Sequence, residues 1–138
     1  MKIFFRFLLL VLVLKNSVFA NDFRDVHQIS LKKDETKKIL VKYDTRERLF
    51  KLRWTLFTNG GLVVHRSYDK IIAQNMLFLN HKNQSFRLEL KPRGNNYYNV
   101  PYLLVKFKKY DYEKNEAVLE ILLSDDRSQL ELQYLKNS

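Results

Sequence analysis

Leu49-Phe50-Lys51-Leu52-Arg53-Trp54-Thr55-Leu56-Phe57-Thr58-Asn59-Gly60-Gly61-Leu62-Val63-Val64-His65-Arg66-Ser67-Tyr68-Asp69 holds two runs of alternating apolar and polar residues joined at Asn59-Gly60-Gly61. Alternation with period two is the mark of a half-buried strand, and an Asn-Gly junction between two such runs marks a hairpin. A three-residue loop, with Gly61 in the left-handed position, sets Leu56 against Val64, Trp54 against Arg66, Leu52 against Tyr68 and Phe50 against Lys70. The reverse face then pairs Thr55 with His65, Arg53 with Ser67 and Lys51 with Asp69. Directly opposed residues share a face, so this register gathers the apolar side chains and pairs a cation with an anion. A two-residue Asn-Gly turn would instead oppose Arg53 to Arg66 and set Trp54 and Leu52 against His65 and Ser67, so the three-residue loop is preferred.

A second hairpin resolves the same way. A loop at Glu113-Lys114-Asn115 sets Val105 against Leu123 and Phe107 against Ile121, with Lys108 meeting Glu120 and Tyr110 meeting Val118 on the other face. Asn115 would hold the left-handed position, which asparagine tolerates.

Outward from these ribbons, residues 26–32 and 37–43 read as strands turned at Lys33-Asp34-Glu35, the second returning along the first. Residues 70–74 read as a connector with a helical turn, and 76–79 as a short strand. Phe86, Leu88 and Leu90 alternate with Arg87, Glu89 and Lys91 until Pro92 stops the strand. In the tail, Ser128 and Glu131 have capping-box spacing, but Leu130, Leu132 and Tyr134 alternate, and the strand is favoured. The expected fold is all-β: a two-sheet β-sandwich the size of an immunoglobulin domain, of about eight or nine antiparallel strands. A small β-barrel is the alternative. Trp54 and Phe107 belong in the core.

The first twenty residues stand apart. Lys2 and Arg6 precede the apolar run 7–14, and Val18-Phe19-Ala20 has the small-residue end of an export signal. The run is short of the roughly 20 residues that span a bilayer. The expectation is a cleavable signal peptide over 1–20 and one domain over 21–138, periplasmic or secreted after cleavage following Ala20. An uncleaved N-terminal anchor in the inner membrane is the alternative. Loss of Lys2, Arg6 and Lys15 takes the formal charge from +10 to +7. There is no cysteine in the 138 residues, so neither a disulfide nor thiol chemistry enters.

Little in the chain looks catalytic. His27, His65 and His81 fall on separate elements without ligand spacing, so no metal or other cofactor is expected. No serine-nucleophile motif and no glycine-rich phosphate loop occurs, and Asp125-Asp126 reads as a turn. The protein is expected not to be an enzyme, an envelope hydrolase being the least favoured reading. The candidate site is the loop between Pro92 and Pro101: Arg93, Asn95, Asn96, Tyr97 and Tyr98 supply a cation, adaptable amides and rigid aromatic area, the composition of recognition loops. A connection whose tyrosines plug the core end is the plainer reading of the same residues. Basic side chains interleaved with aromatics, as at residues 106–110, follow from strand alternation, so no nucleic acid is expected.

The function expected is that of a non-enzymatic adaptor in a cell-envelope assembly, touching another envelope protein through the 92–101 loop and an exposed sheet edge. Binding of anionic envelope polymers or lipid headgroups by the basic surface is the alternative.

Overall fold

The computed structural model describes residues 23–43, 45–90, 101–124 and 130–136. Among these residues the strands are β1 (Phe23–Lys32), β2 (Lys37–Tyr43), β3 (Arg46–Thr58), β4 (Gly61–Tyr68), β5 (Ile71–Phe78), β6 (Ser85–Glu89), β7 (Tyr102–Asp111), β8 (Glu116–Ser124) and β9 (Leu130–Tyr134). They form two antiparallel sheets, of order β1-β8-β7-β6 and β5-β4-β3-β2-β9, and among the described residues there is no helix. Neither sheet closes on itself, so the fold is the sandwich and not the barrel.

Alternation builds the core. Ile39 and Val41, Phe50, Leu52 and Trp54, and Leu62 and Val64 line the inner face of the larger sheet. Leu31, Leu88, Val105, Phe107, Leu119 and Ile121 are buried opposite them from the smaller sheet. Each such side chain contributes roughly 1.5–3 kcal/mol of transfer free energy. The Trp54 indole, buried as expected, donates from Nε1 to the Leu31 carbonyl at 2.7 Å and so ties one sheet to the other.

Both hairpins depart from the expected register, each through a turn of a different length and one bulge. In the first, Asn59 and Gly60 alone form the turn, at φ +52° and +79°, and Thr58 pairs with Gly61. Positive φ at both central residues is the primed turn that matches strand twist, so Gly60, not Gly61, supplies the conformational freedom. Gly61 is required for space: a Cβ there would lie 2.8 Å from Cε1 of Phe78, whose ring covers it. A bulge at Thr55 then shifts the register, giving Trp54 opposite Val64, Leu52 opposite Arg66 and Phe50 opposite Tyr68. The second hairpin turns through the four residues 112–115 and not the expected three, because Asp111 pairs with Glu116; Asn115 does take the left-handed position expected of it, at φ +51°. A bulge at Lys108 sets Val105 against Ile121 and Phe107 against Leu119.

The bulges decide what fills the end of the sandwich. Each adds one residue and reverses the alternation beyond it. Phe57 and Tyr110 thereby turn inward and stack, centroids 4.2 Å apart and planes 14° from parallel. Trp54 and Tyr112 meet Tyr110 edge-on, and Phe107 meets Phe57 edge-on. Two ribbons from different sheets are thus joined at their tips by aromatic contact.

Two other expectations are corrected. β2 does not return along β1: the turn at Asp34 carries the chain across to the other sheet, where the Asp34 N–H donates to the Trp54 carbonyl at 2.9 Å. β1 pairs instead with β8. Residues 71–78 are one strand rather than a connector and a short strand, since Asp69 and Lys70 form a two-residue turn at positive φ and Tyr68 pairs with Ile71. The tail is the expected strand, β9, and it pairs with β2.

Candidate functional site

Arg93, Asn95, Asn96, Tyr97 and Tyr98 lie outside the described residues; the roots of their loop do not. The Leu90 N–H donates to the Pro101 carbonyl at 2.9 Å. The Leu90 carbonyl accepts two phenol hydroxyls from the larger sheet, Tyr43 at 2.8 Å and Tyr68 at 2.9 Å. Burial, then the neighbouring Tyr43 and Asp69, push the Tyr68 phenol well above its ordinary 10.0. Next to the second root, the Tyr102 N–H donates to Ser124 Oγ at 3.1 Å, and the Arg87 guanidinium lies 3.8 Å from the Tyr102 ring centroid. Residues 90 and 101 are therefore held by both sheets, a rigid base for whatever the loop presents.

An exposed sheet edge was expected, but not which strand forms it. β5 ends the larger sheet, and its side chains at Ile71, Ile72 and Met76 are 72%, 80% and 49% exposed. Of the four edge strands among the described residues, β1 carries Lys32, β6 carries Arg87 and Glu89, and β9 carries Glu131; β5 carries no charge and no proline. Edge strands are ordinarily blunted by such residues.

The direction of its backbone groups follows from one hydrogen bond. The Phe78 N–H turns away from β4, to the Asn83 carbonyl at 3.0 Å. Strand alternation then aims the N–H and C=O groups of Ile72, Gln74 and Met76 the same way, to the side of the sheet on which no strand pairs among the described residues. Phe78 is the limit of that open row, because Asn83 already occupies its donor. Beside it on the outer face runs an apolar band across three strands, in which Leu56 opposes Val63 and Val63 opposes Met76. Val63 is buried between them although it faces outward.

A depression of about 220 Å³ lies on the outer face of the same sheet, lined by Thr36, Lys51, Arg53, His65, Ser67 and Ile72 among others. His65 opposes Arg53 and not Thr55 as expected, yet Thr55 Oγ1, on the bulge, still lies 3.0 Å from His65 Nε2. His81 accepts from the Asn83 N–H at 3.2 Å and His27 packs on Tyr134, so the three histidines stay apart. Among the described residues no three His, Asp or Glu side chains come together as a metal site. Several acids face cations: Glu120 is 2.6 Å from Lys108, Asp69 is 3.3 Å from Arg48 and Glu89 is 3.7 Å from Arg87. Asp111 accepts the Glu113 and Lys114 N–H groups in its turn.

In comparisons with protein-family models, curated proteins and solved structures, the chain matches none.

Proposed function

We propose that this protein is an exported, non-enzymatic binding module of a cell-envelope assembly that takes an extended segment of a partner protein onto the β5 edge. The observation that carries the reading is the uncharged open row at Ile72, Gln74 and Met76, flanked by exposed apolar side chains. Main-chain hydrogen bonds to such an edge supply affinity, and side chains on alternate residues supply selectivity. Export rests on the basic start, apolar run and small-residue end of residues 1–20. The 92–101 loop, with Arg93, Tyr97 and Tyr98, is the second contact of the proposal.

Gln74→Pro tests the edge. It removes an N–H that faces the open side and leaves the ladder to β4 intact. Capture of a partner from envelope extract is expected to fall at least tenfold with Gln74→Pro, at an unchanged melting temperature. Undiminished capture overturns the edge reading. Loss with Arg93→Ala and Tyr97→Ala alone assigns the contact to the loop instead.

A second reading, binding of anionic envelope polymers or lipid headgroups, is supported by the opposition of Lys38 and Lys51 on the outer face of the larger sheet. Its signature is a steep fall in binding with ionic strength, which a strand contact does not show.

A further inference from the structure

Lys38 and Lys51 are direct register partners, and Arg53, two residues on along the same face, opposes His65. Cβ atoms of opposed antiparallel residues lie about 4.5–5.5 Å apart, and like charges so placed destabilise a sheet. Among the described residues Lys38, Lys51 and Arg53 enter none of the ion pairs, which engage Lys42, Arg48, Arg87 and Lys108 instead. The strand beside them offers no relief, since Ser67 and Gln74 stand where a carboxylate would neutralise the cluster.

Four of these residues, Lys51, Arg53, His65 and Ser67, border a concavity. Lys51, Arg53 and His65 line the depression together with the hydroxyl-bearing Thr36 and Ser67, and no carboxylate lines it. Arg66 lines the hollow too, but its guanidinium donates to Asn75 Oδ1 and lies over the Phe86 ring, so the donor set for a compact, multiply charged oxyanion is Lys51, Arg53, the His65 imidazole and two hydroxyls. Ammonium and guanidinium groups bind phosphate oxygens through charge-assisted hydrogen bonds, and hydroxyls complete the shell. Ile72, 80% exposed at the rim, gives the hollow one apolar wall.

We infer that this hollow is a binding site for a phosphate group, held by Lys51 and Arg53 with Lys38 supplying charge from the neighbouring strand. The inference rests on the second reading above and narrows it to one place and one chemical group. It is independent of strand addition, because the hollow opens on the sheet face and the open hydrogen-bonding row lies on its edge.

The test uses the full chain and Lys51→Glu. That substitution places a carboxylate opposite Lys38 and beside Arg53, so it strengthens the fold while destroying an anion site. Without phosphate, Lys51→Glu is expected to melt no lower than the wild type. Inorganic phosphate at about ten times its dissociation constant is expected to raise the wild-type melting temperature by roughly 5 °C at constant ionic strength and to leave Lys51→Glu unmoved. Amide shifts at Arg53, His65 and Ser67 should saturate with phosphate and not with chloride. Equal stabilisation of both proteins, or unsaturable shifts scattered over all lysines, overturns the site.

Vesicles separate a lipid headgroup from free phosphate as the source. Binding to phosphatidylglycerol vesicles but not phosphatidylcholine vesicles, lost in Lys51→Glu, assigns the site to a headgroup. Phosphate binding with no vesicle preference assigns it to a soluble phosphate. Salt-sensitive vesicle binding that survives Lys51→Glu overturns the site while the broader polyanion reading stands. Absence of any phosphate or vesicle binding overturns both.

Discussion

The Leu90 carbonyl receives two phenol protons, and one of its donors makes the fold sensitive to alkali. Tyr68 is neutral in the native state to a higher pH than in the unfolded chain, where it ionises near 10.0. The raised value means that its contribution is complete below pH 10 and is withdrawn as pH climbs from there through the native pKa. The slope of that loss is at most about 1.4 kcal/mol per pH unit for one proton. Tyr68→Phe is expected to cost about 1 kcal/mol at neutral pH, from the lost hydrogen bond, and to remove one proton's worth of the alkaline slope. Urea midpoints measured between pH 7 and 11 check both parts. Some residue assignments were legible in advance: Trp54 and Phe107 follow from alternation, and the Asn115 conformation follows from asparagine's tolerance of positive φ. The paired role of Tyr43 and Tyr68 was not, because it depends on a carbonyl on the other sheet.

At the level of the strand, the two bulges explain what alternation could and could not foretell. Phe50, Leu52 and Trp54 share the face of Val64 and Tyr68 in both the expected and the observed registers, since the two differ by an even step. The bulges carry no glycine or proline to mark them, only Thr55 and Lys108, so the reversal at Phe57 and Tyr110 was hidden. Deleting Thr55 should restore simple alternation, swing Phe57 outward and break its stack with Tyr110. A loss of roughly 2–4 kcal/mol is expected, with collapse of the near-ultraviolet dichroism of the aromatic cluster. An unaltered spectrum would show that the bulge does not set the cluster. β5 was misread for a related reason: the adjacent apolar residues Ile71 and Ile72 fit neither a two-residue nor a helical period, because an edge strand has little core to satisfy.

For the molecule as a whole, the sandwich was legible from strand count and patterning, whereas strand order was not. Which strand ends a sheet depends on contacts between residues far apart in sequence, and with it goes the identity of the exposed edge. The charge asymmetry follows the same rule: Lys38 and Lys51 become neighbours only once β2 and β3 pair. The export proposal makes its own prediction at this scale. Mass spectrometry of the protein recovered from the envelope fraction should find a chain beginning at Asn21, and a retained residue 1–20 segment would favour the anchored alternative.

The strand order also dictates a sequence of events. β2 to β5 and β6 to β8 are two runs in which each strand pairs with its successor, so each can zip locally. β1 must wait for β8, with Leu31 meeting Ala117, and β9 must reach back to β2. Closing such distant ends is slow compared with hairpin formation. Nearly the whole polypeptide has to emerge before either flank is sealed, leaving an interval in which a nascent chain can still be threaded, chaperoned or cut.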